Sequence, residues 1–499
     1  MNTSTGRIEK LLHPIAREIL FGEGIADAEV AELQWITEID RAHLVMLVER
    51  GLVERSVGCR LLAEITTLRA SHFEPLRGVA IPRGLYLAYE NYLIEQLGPN
   101  VGGRIHIGRS RNDINATLSI LKSREPILDL ITAGCDLLDA LLDRARELDG
   151  VVIAMFTHHQ PALPSTVGHY LSGFAQSLGR DIEAHLDAMS GLRRSPFGAG
   201  AVCGSTLPID PNRTASLLGF DAPTMNSIDA VAARDWVLRV EATCAITAIG
   251  LSRLAADLLI WCGELGFMRL PDDLVGSSSA MPQKRNPFLL EHIQGRASAP
   301  LGAFMASAGA MHAMPYTNSV AVGTEACNRL RPTLDGVRQS LDLMRLVIRG
   351  FSIDTVRAAA PTQAGYTTAT ELANRLVVEA GLDFRSAHHA VGELVSEAER
   401  AGNLDLAAAA RGCSNPQFSN ITLSGLDPAA VATSANFGGG PAPDAVARAI
   451  SSATDDARRN REALSKWRRQ IDSARNELDA QVAALAMDVS PDDLGGRSI

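Results

Sequence analysis

Apolar residues recur at three- and four-residue spacings along much of the chain, and few stretches alternate between polar and apolar positions. Segments 126–148, 236–262 and 464–485 each carry such a stripe. A period near 3.6 residues puts these side chains on one face of an α-helix, where they pack against other helices. Long helices joined by moderate loops predict an all-α bundle. The stripe residues are Ile127, Leu130, Ile131, Leu137, Leu138, Leu141, Leu142, Val240, Leu251, Leu254, Leu258, Trp261, Leu464, Trp467, Ile471, Ala474, Leu478 and Leu485.

Clusters of glycine and proline separate the helical segments and mark loops. Breaks near residues 105 and 360 divide the chain into an N-terminal helical domain (1–105), a central long-helix domain (106–360) and a C-terminal helical domain (361–499). The clusters lie at 98–103, 161–164, 195–208, 271–287 and 438–443.

Composition narrows the class of partner. The 499 residues are 46% hydrophobic with a net charge of −10, which is typical of a globular protein and argues against nucleic acid. No uncharged apolar stretch approaches the roughly 18 residues of a membrane span, and the N-terminus lacks the apolar core of a signal peptide. Seven scattered cysteines without a CxxC pair indicate reduced thiols. We therefore expect a cytoplasmic protein that binds small molecules, without membrane or metal.

Residues 276–287 form the most unusual segment, GSSSAMPQKRNP. Small residues and two prolines exclude a helix here. The segment concentrates hydroxyl groups, an amide and two cations, as an anion-binding loop or a catalytic lid would. A serine-rich surface loop would account for the first four residues alone, but not for the whole string.

This segment resembles the signature loop of the fumarase/aspartase superfamily, GSSxMPxKxNP. Further segments resemble those of argininosuccinate lyase, in the same order and with similar spacing. The resemblance spans roughly residues 80–450. The matching stretches are GGRIHIGRSRND at 102–113, THHQ at 157–160, GAGAVCG at 198–204, NSID at 226–229, ARDW at 233–236 and GGGPAP at 438–443.

The resemblance implies an enzyme that breaks a C–N or C–O bond beta to a carboxylate and releases fumarate, without metal or organic cofactor. Ser278, three residues before Met281, aligns with the catalytic base of the family. A serine can act so only if its alkoxide is stabilised, for which Lys284 and loop amides are suited. Lys284 and Asn286 would hold the carboxylate on which charge develops.

The resemblance also assigns the remaining site residues. His158 aligns with a proton-handling histidine and Glu291 with the acid that orients it, a pairing suited to neutral pH. Alone, His158 would be read as an ordinary core or capping histidine. The dicarboxylate would be bound by hydroxyl, amide, thioether and guanidinium groups. These belong to Ser110, Arg111, Asn112, Thr157, Gln160, Met281, Arg234 and Asn286.

Two alternatives remain open for the arginines. Arg234 and the adjacent Asp235 could form a structural ion pair. Without the resemblance, Arg109 and Arg111 would be interpreted as a solvated surface pair. The resemblance further implies a three-domain subunit whose long central helices form a twenty-helix core in a homotetramer, with each active site shared by three subunits. The helix after residue 450 has no secure family counterpart and would cap the assembly or pack on its own subunit.

Departures from argininosuccinate lyase are concentrated in one functional half. The stretch GIADAE at 24–29 lacks the Asn, Ser and Asp of the family's NxSIxxD, and Gly84-Leu85-Tyr86 replaces its DVH. The segment 316–323, YTNSVAVG, replaces YNKDxQEDK and keeps no lysine. Smaller changes are Ser277 for the signature glycine and Leu163 for a glutamine.

The residues that hold the succinyl half persist, whereas those that contact the arginine half are replaced. A site without its polar partners rejects the old substrate strongly, because buried groups would be left unpaired. We therefore predict a lyase acting on another N-succinyl amine or on nitrosuccinate. The alternatives are a true argininosuccinate lyase, a different reaction of the superfamily such as addition to fumarate or cycloisomerisation, and a catalytically silent structural homologue.

Overall fold

The structure is a computed structural model that describes residues 10–487. Its N-terminal part consists of helices packed around Leu33, Ile36 and Leu61, all nearly fully buried. The longest, α2, has Asp27 and Glu29 in its first turn, and Glu29 accepts a hydrogen bond from the Ala26 amide at 3.0 Å. Acidic side chains stabilise a helix N-terminus. The helices are α1 (Pro14–Phe21), α2 (Asp27–Glu49), α3 (Arg55–Ala70), α4 (Leu85–Leu97) and α5 (Pro99–Gly102).

The central part consists of long helices joined by loops and very short strands. The strands form three two-stranded sheets, β1 with β2, β3 with β4 and β5 with β6. In chain order the elements are α6 (Arg111–Glu147), β1 (Val152–Thr157), β2 (Gln160–Thr166), α7 (Val167–Ala188), β3 (Arg194–Ser195), α8 (Pro211–Leu217), β4 (Ala222–Pro223), α9 (Ser227–Ala232), α10 (Asp235–Cys262), β5 (Met268–Arg269), α11 (Phe288–Arg296), α12 (Ser298–Met311), α13 (Leu330–Gly350) and β6 (Ser352–Ile353).

The predicted all-α bundle is confirmed. Helix α6 packs against α7 and α13, and α10 packs against α7, α11, α12 and α13. The predicted stripes are the buried faces: Leu137 and Leu138 of α6 and Val240 and Leu258 of α10 have no exposed surface. Because each stripe meets a stripe on a neighbouring helix, periodicity alone located the core.

Helix α10 is also long and apolar enough to cross a membrane by length and composition. Its most apolar 18-residue window has a mean hydropathy of 1.5, and 44% of that window is buried inside the chain. The helix carries Arg253 and Asp257, so it lacks the uncharged stretch that we sought in the sequence. Its buried face lies in the centre of the bundle, a position that accounts for its apolar composition.

The C-terminal part divides into two differently packed regions. Residues Leu372 to Leu426 surround a small core of their own, separate from the main core. Helix α19 instead packs along α6 and α7 and reaches α2, α3 and α8. The three-domain division stays a prediction. The elements are α14 (Thr355–Ala364), α15 (Ala369–Val378), α16 (Phe384–Arg400), α17 (Leu406–Gly412), α18 (Pro428–Ser434) and α19 (Pro443–Met487).

Helix α19 packs on its own subunit, which is one of the two placements expected for the last helix, and capping of the assembly stays a prediction. Its stripe residues Trp467 and Leu478 are buried in the main core. Arg461 forms ion pairs with Asp136 and Asp139 of α6. The helix therefore joins the N-terminal and central parts of the same chain.

Candidate functional site

The first candidate segment lies at the N-terminus of α6. Ser110 caps the helix, accepting the Asn112 amide at 3.3 Å, and its own amide donates to Asp113 Oδ1 at 2.9 Å. Asp113 Oδ2 accepts the amides of Gly198 and Gly200 at 3.2 and 2.9 Å. One buried carboxylate thus ties this helix start to the glycine-rich loop. The capping-box pattern of Ser110 and Asp113 was a readable signal for this role, which our sequence analysis missed.

Arg109 is not part of a solvated pair, so that interpretation was wrong. Its side chain is fully buried, donates to Asp40 Oδ1 of α2 at 2.5 Å and donates to the Tyr86 hydroxyl of α4. Burial raises the pKa of Asp40, although Arg109 opposes the shift. Arg111 is exposed and donates to the Arg83 carbonyl at 3.1 Å. Neighbouring arginines therefore have different roles, one structural and one open to a ligand.

Asn112, in the first turn of α6, bonds to two loops. Its side-chain nitrogen donates to the Ala201 carbonyl at 3.0 Å, and its oxygen accepts from Asn318 Nδ2 at 3.1 Å. The Tyr316 hydroxyl donates to Asp229 in the NSID stretch. The segment that we described as having lost its lyase contacts therefore bonds to the predicted site residue Asn112 and to Asp229. Tyr316 keeps the first residue of the family's YNKDxQEDK string, whereas Asn318 stands where that string has its lysine, and the sequence did not signal the partner of either.

Arg234 is almost fully buried. It is 4% exposed and donates to the Val231 and Ala233 carbonyls at 3.3 and 2.6 Å. Burial lowers the pKa of its guanidinium, which also interacts with the Cys327 thiol. The ion pair with Asp235 is absent from the described part of the chain, and that alternative was wrong because Asp235 pairs with Arg239 at 3.2 Å. A substrate contact for Arg234 stays a prediction.

The second candidate segment is the tip of the β1–β2 hairpin. Thr157 pairs with Gln160, and His158 and His159 form the two-residue turn with φ of 52° and 61°. Two successive left-handed residues are ordinarily glycine or asparagine, so histidines here cost about 1–3 kcal/mol each. All four side chains are exposed. Strain of this kind is typical of functional turns.

The third candidate segment is the loop 276–287. Its base is closed by a bridge in which the Gly276 and Asn286 amides and carbonyls exchange hydrogen bonds of 2.8 Å. Arg285 is bonded to Asp272 at 2.6 Å and to the Leu270 carbonyl at 2.9 Å. Of the two loop cations, Arg285 is thus an anchor, while no ion pair holds Lys284 within residues 10–487. Lys284 is exposed and open to an anion.

Ser278 lies in a turn at the centre of this loop. Its Oγ accepts the Met281 amide at 3.1 Å and the Ala280 amide at 3.4 Å. Amide N–H groups that point at a hydroxyl oxygen stabilise negative charge on it. The local geometry can therefore support an alkoxide. Glu291 follows in the first turn of α11, exposed and without a bond to His158 among the described residues.

The predicted site residues thus fall into three groups. No hydrogen bond or ion pair between residues 10 and 487 joins the α6 start, the hairpin tip and the signature loop to one another. Within each group, predicted residues contact one another: Asn112 with Ser110, Thr157 with Gln160, and Met281 with Ser278. The described residues also contain no cluster of three or more His, Cys, Asp or Glu side chains placed to hold a metal ion.

Comparison with known families and proteins finds consistent likenesses. Residues 82–302 match the family described as Lyase, and residues 366–431 match Argininosuccinate lyase C-terminal. Argininosuccinate lyase of Methanoculleus marisnigri is 36% identical over 88% of this chain and 91% of its own length. Argininosuccinate lyase 1 of Shouchella clausii is 30% identical over 94% of this chain and 96% of its own.

Solved structures extend the likeness to the fold. EDDS lyase in complex with formate has a TM-score of 0.83 and 27% identity, covering 96% of this chain and 97% of that chain. An EDDS lyase variant with bound fumarate has a TM-score of 0.82 and 27% identity, covering 95% and 99%. Class II fumarase from Schistosoma mansoni shares the fold at 16% identity, with a TM-score of 0.67 over 81% and 91%. These likenesses confirm the fold expected from the sequence.

Proposed function

Because the chain belongs to the argininosuccinate lyase-like branch of the fumarase/aspartase superfamily, we propose that it releases fumarate from a succinate adduct other than argininosuccinate. The chain is a carbon–nitrogen lyase of that superfamily. One contrast supports the altered substrate. In the signature loop, Ser278 Oγ accepts two amide N–H groups, whereas residues 316–323 contain no charged side chain for an arginine leaving group.

The reaction is a β-elimination. Ser278 takes the proton from the carbon next to one carboxylate, and the C–H bonding pair becomes the double bond of fumarate. The C–N bonding pair leaves with the nitrogen, which the His158–Glu291 unit protonates. Lys284 and Asn286 stabilise the carboxylate while negative charge accumulates on it, once the loop has closed over the substrate. No other reactant is needed for this balance.

Substrate binding uses groups from the three candidate segments. At the α6 start, Ser110, Arg111 and Asn112 offer hydroxyl, guanidinium and amide donors to a dicarboxylate. Thr157 and Gln160 at the hairpin tip and Met281 in the loop complete the enclosure, with Arg234 as a further cation. The fumarate bound to the EDDS lyase variant supports a dicarboxylate as the retained half.

A homotetramer would bring these groups together. Between residues 10 and 487 of the single chain, no hydrogen bond or ion pair joins the three groups to one another. Large apolar side chains lie exposed on two bundle helices. Ile246 is 57% exposed, Ile249 41% and Met305 67%. Such surfaces mark subunit interfaces. We expect α10 and its neighbours to contribute to a twenty-helix core. Light scattering that found a fully active monomer would contradict this assembly.

The names of the relatives favour a second candidate, argininosuccinate lyase itself, since relatives of that name reach 36% identity. Mass spectrometry separates the two. The enzyme is incubated with fumarate and a panel of amines and nitrogen nucleophiles, arginine included, and succinyl adducts are identified. We expect an adduct with a partner other than arginine. An adduct with arginine alone would favour the second candidate.

Ser278→Ala and Ser279→Ala form a matched pair for the catalytic assignment. Both serines are in the same loop, but Ser278 alone accepts the Met281 amide. We expect adduct formation to fall at least a thousandfold in Ser278→Ala and less than tenfold in Ser279→Ala. If no nucleophile gives an adduct in the wild type, a silent homologue or chemistry without fumarate becomes the better interpretation.

A further inference from the structure

We propose that residues 312–327 close the leaving-group side of the site and that Asn318 and Tyr316 act as specificity residues there. Only a succinate bearing a small nitrogen group, such as a nitro, hydroxylamino or short amino group, would then fit. The inference rests on the proposed function, since it concerns the group that departs as fumarate forms. We use the name cover loop for residues 312–327.

The first support is the contact between the two halves of the site. Asn318 Nδ2 donates to Asn112 Oδ1 at 3.1 Å, and Asn112 Nδ2 is already bonded to the Ala201 carbonyl at 3.0 Å. Asn112 belongs to the succinyl half, whereas the cover loop occupies the place of the segment that contacts arginine in the family. No side arm of a substrate can pass between atoms at hydrogen-bond distance. The leaving group must fit beside this contact.

The second support is the charge available to a leaving group. Glu325 is the only Asp, Glu, Lys or Arg in the cover loop. The carboxylate of Asp229, which could bind a cationic arm, accepts the Tyr316 hydroxyl instead. A guanidinium end brought here would find Glu325 as its one charged partner within the cover loop, and an α-amino acid carboxylate would find no cation there. Small groups without a charged tail need no such partners.

The third support is that the far end of the cover loop is fixed. Ser307, 1% exposed on α12, donates to the Ala326 carbonyl at 2.8 Å. The Cys327 thiol donates to the Val322 carbonyl at 3.5 Å across a π-helical turn, Ala321–Glu325. Turns of this type are rare and often lie at functional sites. The far end of the cover loop is therefore bonded to α12, and Asn318 bonds its middle to the α6 start.

The test compares Asn318→Ala with Asn328→Ala. Both replace an asparagine in or beside the cover loop, but no side-chain bond of Asn328 occurs among the described residues. Each variant and the wild type are incubated with fumarate and nucleophiles of increasing size, namely nitrite, hydroxylamine, methylamine, ethylenediamine and arginine. Adduct rates are measured by mass spectrometry. Tyr316→Phe, which keeps the ring and removes the bond to Asp229, is a second variant if Asn318→Ala folds poorly.

We expect the wild type to prefer the three smallest nucleophiles, and Asn318→Ala to raise the relative rate with ethylenediamine or arginine at least tenfold. Asn328→Ala should keep the wild-type order. An unchanged size order in both Asn318→Ala and Tyr316→Phe would overturn the inference while leaving the proposed function intact. Equal wild-type rates across the series would do the same. Absence of any Ser278-dependent adduct would overturn the proposed function and, with it, the inference.

Binding gives a readout that does not depend on turnover. In calorimetry, we expect the single variant Ser278→Ala to bind fumarate. We expect it to bind argininosuccinate at least tenfold more weakly than the double variant Ser278→Ala/Asn318→Ala does. Equal argininosuccinate affinities in the two proteins would contradict a closed leaving-group side.

Discussion

The surroundings of Arg109 and the signature loop 276–287 look alike in sequence but differ in structure. Each has an arginine or lysine within five residues of a serine and an asparagine in a glycine-containing motif. Arg109 is sealed between Asp40 and Tyr86 without exposed side-chain surface, whereas Lys284 and most of its loop are open. The first arrangement fixes the groups that we propose to hold a dicarboxylate before it arrives. The second leaves the proposed base, Ser278, and the cation Lys284 where a closing motion or a neighbouring subunit can complete the site.

This difference shows that motif chemistry does not reveal mobility. Preorganised donors need a rigid support, because a small displacement lowers the rate sharply. The buried ion pair supplies that support for Ser110, Arg111 and Asn112. The loop has the Gly276–Asn286 bridge and the Arg285 anchor where it joins the rest of the chain. Loops that close over substrate move about a few hinge residues.

The largest expected effect comes from breaking the buried pair. Arg109→Met would leave the Asp40 carboxylate buried without its partner, which costs about 3–5 kcal/mol. The check is urea unfolding at fixed protein concentration, since assembly affects apparent stability. Arg285→Met is the matched control, because its pair with Asp272 is on the surface and is worth about 0–1 kcal/mol. If the free energy of unfolding fell equally in the two variants, the Arg109 pair would be no more important for stability than the surface pair of Arg285.

Buried histidines extend the comparison to pH. His185 lies between α7 and α10, bonded to Thr243 and Thr247, and burial lowers its pKa to about 4. It stays neutral in the fold while the unfolded chain takes up a proton below a pH of about 6.5. Stability from this site is complete above that pH and declines as the pH falls toward 4, by about 3 kcal/mol in total.

The measurement is the unfolding free energy between pH 7 and 4, compared with His185→Gln, which should flatten the decline. Burial also lowers the pKa of His43, beside the Arg109 pair, so part of the decline should remain in the variant. A decline that is as steep in His185→Gln as in the wild type would contradict the assignment.

A smaller effect is expected at Asp113, which joins the α6 start to the glycine-rich loop. Asp113→Asn keeps one acceptor oxygen and loses the charge that three amides share, which should cost about 1–3 kcal/mol. Fumarate binding, followed by calorimetry, should weaken at least threefold because Ser110 and Asn112 shift. If Asp113→Asn loses stability but binds fumarate as tightly as the wild type, Asp113 does not position Ser110 and Asn112 for binding.

The smallest effect on stability is expected at Arg285. Arg285→Gln removes a surface anchor, so the unfolding free energy should change by less than about 1 kcal/mol. The kcat should still fall about tenfold while the affinity for fumarate is kept, because the loop that carries Ser278 loses the Arg285 anchor at its end. Full activity in this variant would show that the anchor does not position the loop.

The helices and their buried faces could be predicted from the sequence, because a stripe of apolar residues has one physical solution in a bundle. The burial of Arg109 could not be predicted in this way, since it depends on Asp40 and Tyr86, which are distant in sequence. The left-handed turn at His158 and His159 was equally hidden, because the hairpin imposes a conformation that histidine does not favour. Motif positions thus indicated the chemistry, while tertiary contacts decide which groups are fixed and which are open.

The central proposal is that this lyase does not act on argininosuccinate. Its most direct test is to measure fumarate release from argininosuccinate by absorbance in the ultraviolet. The wild type should release fumarate no faster than Ser278→Ala under these conditions, even though it forms an adduct from fumarate and another nitrogen nucleophile. Rapid release of fumarate and arginine that disappears in Ser278→Ala would instead identify an ordinary argininosuccinate lyase and contradict the altered substrate.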